Sequence, residues 1–393
     1  MQGSFYALFW GKDCGEIGKE RKMKTVTGAY STAKIFTDNV EDYAIAQIQM
    51  ICDNEAAKDS KICVMPDVHP GKVGPVGLTM TVGERVLPNL IGVDIGCGMS
   101  TMQIKEKRIE FQKLDKVIRE EIPSGSSIRK TAHHFSEEFD FSRLLCAKHI
   151  GSRNALLSLG TLGGGNHFLE GDVDQEGKLY ITVHSGSRHL GVEVTDYYLK
   201  EGQRELKARG LQVPYELTWL EGELKEAYIH DLLVVQDYAA LNREIILHQL
   251  AKSMKWKVQD YISCIHNYIA EEDGALMLRK GAISAKENQE VIIPINMRDG
   301  IILGKGLGNK VWNQSAPHGS GRIMKRSDVA GEYTVSGFKK AMEGIYCSCI
   351  GKDTLDESPM AYRGIDEIAE AVKDTVKIEK IIRPVYNFKA GGR

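Results

Sequence analysis

The chain predicts a mixed α/β protein, α/β or α+β in class, and three observations carry that expectation. β-rich runs and helical periodicities alternate along its length. Polar residues capable of chemistry collect where the β-rich runs end. No Pro/Ser-rich linker, low-complexity tract or internal repeat interrupts residues 23–393, so a single domain is expected there.

The first stretch, "MQGSFYALFWGKDCGEIGKERK", lacks strand or helix alternation. It is read as an N-terminal extension over residues 1–22, and the sequence offers two starts, Met1 and Met23. Residues 39–52 space Val40, Ala44, Ile48 and Ile51 by four, four and three, which predicts an amphipathic helix. "KICVMPDVHPGKVGPVG" predicts a short apolar strand turning into a glycine-proline loop around Asp67 and His69. "KLYITVHSGSRHLG" predicts a strand followed by a loop from His184 to Gly191. "HDLLVVQDYAALNREIILHQLAKSM" is the strongest helical segment, with Tyr238, Leu241, Ile245, Ile246, Leu250 and Met254 on its core face. "QEVIIPINM" reads as a buried strand, and "IDEIAEAVKDTVKIEKIIRPV" as a helix passing into a strand.

Composition narrows the function. The 393 residues are 42% hydrophobic and 26% charged, an ordinary soluble balance. Fifty-one basic and fifty-three acidic residues leave a net charge of −2, so a nucleic-acid partner must be held by a local basic patch. Eight cysteines are too sparse for a disulfide scaffold. With no signal peptide read at the start, a reducing, cytoplasmic compartment is expected. No apolar run approaches the ~20 residues of a membrane helix. The forty glycines cluster in short loops, a pattern of built sites rather than linkers.

"GVDIGCGM", residues 92–99, sets Asp94 and Cys97 three positions apart on a glycine-rich backbone. Cys97 alone could be a small buried residue in a turn. The pair also has the form of two metal ligands. His133 and His134 sit in a polar stretch and read as surface residues; His149, His230 and His248 read as structural. His167, His184, His189 and His318 stand in glycine-framed or strand-end settings, and His266 ends an apolar segment beside Asn267. One Asp, one Cys and three His exceed a single tetrahedral zinc centre and suit two ions sharing a thiolate; manganese, zinc and cobalt all fit the donor types. "GGGNHF" and "HSGSR" let backbone N–H groups face an anion, with Arg188 able to grip phosphate. Pro317 and Gly319 frame His318 near Arg322, Lys325 and Arg326, a setting in which a neutral imidazole can attack phosphorus.

Eight stretches, in order, now resemble one family, the RtcB family of GTP-dependent RNA ligases: "MPDVHPGK", "GVDIGCGM", "GTLGGGNHFLE", "HSGSRHLG", "HNYI", "RKGAISA", "SAPHGSGR" and "ESPMAYRGIDEI". They cover roughly residues 23–393. The resemblance implies an RtcB-like fold with central β-sheets around two Mn2+ ions. Asp94, Cys97 and His167 would hold one ion, and Cys97 would bridge to a second completed by His184 and His266. His318 would be the catalytic nucleophile, oriented by Asp67. The implied GTP or GMP contacts are Asn166, His167, Phe168, Leu169, Glu170, His266, Asn267, Pro294, Asn296, Met297, His318, Gly319, Ser320, Gly321, Tyr362 (stacking on guanine) and Lys389. Arg188 and Arg322 would anchor RNA phosphates.

The implied reaction joins an RNA 3′-phosphate or 2′,3′-cyclic phosphate to a 5′-hydroxyl through a histidine–GMP adduct, in RNA repair or splicing. A monomer or dimer away from membranes is implied. A dinuclear metal-dependent phosphatase or nuclease, and a metal-containing RNA-binding protein without catalysis, are the competing readings. One stretch departs from the family pattern. In "IPINMRDGII", Ile295 and Asn296 replace a small Gly-Ser pair and Ile301 replaces a serine, which bears on GTP affinity and loop shape.

Overall fold

The computed structural model describes residues 23–390, so the extension expected over 1–22 lies outside the described residues. The class is mixed α and β, with most of the β-structure in two sheets. A six-stranded sheet runs in the order Lys24–Thr27, Thr32–Ile35, Ile62–His69, Val76–Val82, Ala275–Lys280, Asn267–Glu272. Among the described residues its one parallel pairing joins the second and third of these strands. A seven-stranded antiparallel sheet runs in the order Val258–Ile265, Gly98–Ile104, Leu179–Ser185, Phe168–Val173, Val376–Lys389, Gly300–Gly306, Glu290–Asn296.

The helix Gly222–Met254 joins the two halves. Tyr228, Leu232, Val235, Tyr238 and Ile245 enter the core under the six-stranded sheet. Ile246, Leu247, Leu250 and Met254 enter the core against the seven-stranded sheet with Met102, Val183 and Phe388. Being apolar on two sides, this helix extends eight residues upstream of the segment read from periodicity. Among the described residues no helix is long and apolar enough to cross a membrane.

Three local expectations are corrected. The strand containing "CVMPDVH" continues through Asp67 to His69, where a glycine-proline loop was expected. Pro66 has no N–H to donate, and the ladder with Val76–Val82 breaks between Val64 and His69, which frees Asp67 from regular pairing. The loop expected from His184 to Gly191 is instead the end of a strand, a short turn and a helix, Arg188–Ala208. Of the two histidines read as surface groups, His134 is exposed, but His133 is buried with Nε2 3.2 Å from Gln249 Oε1.

The sheets meet at His266. Val258–Ile265 is an edge of one sheet and Asn267–Glu272 an edge of the other, with His266 the single residue between them. His266 N–H donates to Cys97 O (2.9 Å), and Gly96 N–H donates to Asn267 O (2.7 Å). The "GVDIGCGM" turn is thereby tied to the seam between the two sheets.

Candidate active site

Ligand-type atoms from four segments converge at this seam. Sγ of Cys97, which precedes the strand Gly98–Ile104, lies 3.4 Å from His167 Nε2 and 3.3 Å from His184 Nε2. His184 Nε2 lies 3.3 Å from His266 Nε2, and Asp94 Oδ2 lies 3.1 Å from His167 Nε2. The donor atoms of Cys97, His167 and His184 all fall within 4.8 Å of one another. His189 stays outside: its side chain is 64% exposed and faces Glu193.

Ring orientation tests whether this set fits a cation. His167 Nδ1 is 2.9 Å from Leu162 O, and His184 Nδ1 is 3.1 Å from Asn166 O. A carbonyl only accepts, so both Nδ1 atoms carry the proton and both Nε2 lone pairs face the cluster. Burial, reinforced by neighbouring histidines, lowers His184 and His266 well below the usual imidazole range, keeping them neutral. Burial and then the Asp94 charge push the Cys97 thiol up. Several lone pairs around a sulfur that desolvation discourages from ionising are best reconciled by positive charge at their centre. The residues fit a thiolate-, imidazole- and carboxylate-bound metal.

Glycine permits the close approach. A Cβ on Gly186 would sit 2.2 Å from Asp94 Oδ1, and one on Gly163 would sit 1.9 Å from an Arg188 guanidinium nitrogen. Ser187 N–H, at the start of the Arg188–Ala208 helix, donates to Asp94 Oδ1 (3.1 Å), placing the carboxylate at the positive end of that helix.

A cavity of about 130 Å³ opens beside the cluster. Asn166, Phe168, Glu170, His184 and His266 line one side; Pro294, Asn296 and Met297 line another. His318, Gly319, Ser320, Gly321, Arg322, Tyr362 and Lys389 complete it among the residues singled out from sequence. His318 Nδ1 lies 2.8 Å from Asp67 Oδ2, which also accepts the His318 backbone N–H (3.2 Å). Asp67 is fully buried. The Oδ2 contact sets the ring orientation, with Nδ1 toward Asp67 and Nε2 on the far edge of the ring.

Some expected contacts are placed elsewhere. Leu169 points to the core, because alternate residues of the Phe168–Val173 strand face opposite sides. Asn267 is spent on structure: Nδ2 donates to Asp94 O (3.3 Å) and Oδ1 accepts Gly281 N–H (3.0 Å). Arg188, at φ 55°, packs behind the cluster 3.4 Å from His167 Nδ1. The Arg322 guanidinium donates to Tyr362 OH (2.9 Å) and Asp356 O (2.6 Å), and lies 4.9 Å from the Tyr362 ring centre. At the departure from the family pattern, Asn296 Oδ1 accepts N–H groups of Arg298 (3.0 Å) and Asp299 (2.9 Å), closing a turn, and Ile301 is wholly buried.

Sequence reasoning missed several supports. Asn242 and Arg243 are buried on the long helix that was read only as core. Asn242 holds Gly160 N–H, Thr161 N–H and Gly186 O. Arg243 donates to Gly96 O (2.8 Å) and Ser185 O (3.0 Å). The adjacent polar pair in "YAALNREIIL" was the available signal. Glu357 was missed too: it is buried against Lys389 Nζ, Arg326 and Tyr362 OH. Although burial opposes it, the Lys389 and Arg326 charges hold its carboxyl below the usual range. Burial pushes up Glu170 and, with the Glu170 charge, Asp172 beside it, so the pair retains a proton.

Comparison with known proteins gives a consistent picture. A family model described as "tRNA-splicing ligase RtcB" matches residues 55–155 and 145–390. The RNA-splicing ligase RtcB of Escherichia coli K12 is 28% identical over 403 residues, covering 93% of this chain and 98% of that protein. The tRNA-splicing ligase RtcB of Aeropyrum pernix is 28% identical over 419 residues, covering 82% and 86%. An RNA-splicing ligase RtcB2 from another Escherichia coli strain is 27% identical over 381 residues, covering 90% and 93%.

Proposed function

The chain belongs to the RtcB family, and from that premise we propose that it is an RNA ligase that joins a 3′-phosphate or 2′,3′-cyclic phosphate end to a 5′-hydroxyl, using GTP. The observation that carries the reading is His318, held by Asp67 at 2.8 Å and set at the wall of the cavity beside the ligand cluster.

With the His318 proton on Nδ1, Nε2 is the nucleophile toward the α-phosphate of GTP, and pyrophosphate leaves. Asp67 stabilises the imidazolium that develops as the new N–P bond forms. The GMP then passes to the RNA 3′-phosphate, and attack by the 5′-hydroxyl on that activated end expels GMP. Two Mn2+ ions, held by Asp94, Cys97, His167, His184 and His266, would supply charge neutralisation to the phosphoryl oxygens. Tyr362, braced by Arg322, offers a ring for the guanine, and Lys389 stands close by on Glu357. Asn166 and Glu170 face the same space. A cytoplasmic site of action, as read from cysteine usage, belongs to this proposal.

Labelled GTP with Mn2+ tests it. A covalent, acid-labile GMP on His318 is expected, absent from His318→Ala although that variant still binds metal. No adduct with any divalent metal would leave a metal-dependent phosphatase or nuclease, or an inactive RNA-binding protein, and the ligase reading would be abandoned.

A further inference from the structure

A pair of thiols lies apart from Cys97. Cys347 and Cys349 are separated by one residue, and their sulfurs stand 3.2 Å apart, in hydrogen-bond contact. Both are half-buried and unpaired by any disulfide. They occupy a segment of turns between the helix Val335–Ala341 and the 3-10 segment Lys352–Glu357. Cys349 also lines a surface cleft with Arg119, Gly125, Asp353 and Lys389. Its Sγ accepts the backbone N–H of Lys389 (3.2 Å).

The geometry points to a reversible thiol–disulfide site at Cys347 and Cys349 that reacts with small disulfides or peroxides and adjusts the strand end carrying Lys389. Disulfide closure requires the sulfurs to approach by about 1 Å, in a segment with Gly344 and Gly351 on either side. Cys349, at the cleft, meets the oxidant first. The hydrogen bond from Cys347 outweighs burial and lowers the Cys349 thiol, while the same contact, with burial, raises Cys347.

With glutathione disulfide as oxidant, the Cys349 thiolate attacks one sulfur and expels a glutathione thiolate. Cys347, giving up its proton, then displaces the second glutathione. The protein loses two electrons and two protons, and glutathione disulfide becomes two glutathiones. A disulfide sulfur accepts hydrogen bonds more weakly than a thiolate, so the Lys389 N–H loses its partner. The same segment leads into Glu357, which pairs with Lys389 Nζ at the cavity. The thiol pair and its link to Lys389 are independent of the ligase reading.

The test equilibrates the full chain in graded glutathione and glutathione disulfide mixtures, followed by alkylation, trypsin and mass spectrometry of peptide 341–352, which contains both cysteines. An internal disulfide, lighter by two hydrogens and reversed by dithiothreitol, is expected; Cys349→Ser should give none. Both cysteines alkylated at every ratio, or pairing only with other cysteines, would overturn the proposal. Hydrogen exchange should show the Lys389 amide opening about tenfold faster in the oxidised chain, a loss of about one hydrogen bond. Unchanged exchange would refute the link to the strand. These readouts hold whether or not GMP ever reaches His318, so failure of the ligase reading stays separate from failure of this one.

Discussion

Asp67 and His318, 251 positions apart in the chain, meet through a 2.8 Å contact between Oδ2 and Nδ1. One carboxylate oxygen takes both the ring and the backbone N–H of the same residue. Asp67→Asn keeps the shape but removes the charge. With a charge-assisted hydrogen bond at about 1.5–3 kcal/mol, guanylylation of His318 should fall about 10- to 100-fold. Metal content should not change. A rate within twofold of the parent would remove Asp67 from the positioning of His318.

Metal binding should be visible without any activity. If Cys97 joins two ions, adding Mn2+ to metal-stripped protein should raise the melting temperature, since a ligand bound only by the folded state stabilises it by mass action. Cys97→Ala should abolish that rise. An equal rise in both proteins would place the ions elsewhere.

Gly186→Ala probes the approach of Asp94 from the opposite side. The new Cβ would lie 2.2 Å from Asp94 Oδ1, so the carboxylate must swing away from His167 and from Ser187 N–H. Metal affinity should drop about 10- to 100-fold, the usual effect of disturbing a ligand's supports. Titration by metal competition measures it, and unaltered affinity would show that Asp94 is not needed where it sits.

Asn242 binds Gly160, Thr161, Ser185 and Gly186 from the long helix and uses both ends of its amide. Asn242→Ala leaves two buried N–H groups without acceptors. Unfolding in urea should reveal a loss of about 2–5 kcal/mol. A change below about 0.5 kcal/mol would mean that the loop holds itself.

Asp231, wholly buried on the same helix, accepts from Leu145 N–H (2.7 Å), Cys146 N–H (3.0 Å) and Tyr198 OH (2.8 Å). Burial works against its charge, but the Leu145 N–H, the His230 ring (Nδ1 3.0 Å from Oδ1), the Cys146 N–H and the Tyr198 OH together hold its carboxyl below the usual range. A carboxyl lowered by folding stabilises above its unfolded pKa of about 3.9, and that contribution is lost as pH falls through the lower folded value. Asp231→Asn should therefore destabilise most near neutrality, by about 2–3 kcal/mol. The gap from the parent should narrow below about pH 4. A gap independent of pH would assign the effect to shape rather than charge.

The sequence alone nominated the candidate ligands of the site. "GVDIGCGM", "GGGNHF" and "HSGSR" mark Asp94, Cys97, His167 and His184 because glycine at those positions admits close approach, a property written locally in the residue type. It also determined the alternation of strands and helices, since periodicity is local. Only the tertiary structure decided which histidines converge. His184 and His189 share one motif, yet the strand end turns His184 inward and the helix carries His189 out to Glu193. It also decided that Asp67 lies within a strand facing His318, and that Asn242 and Arg243 brace loops dozens of positions away. Those relations depend on sheet register and on which helix face meets which sheet. Contacts between distant segments set both, and no local pattern encodes them.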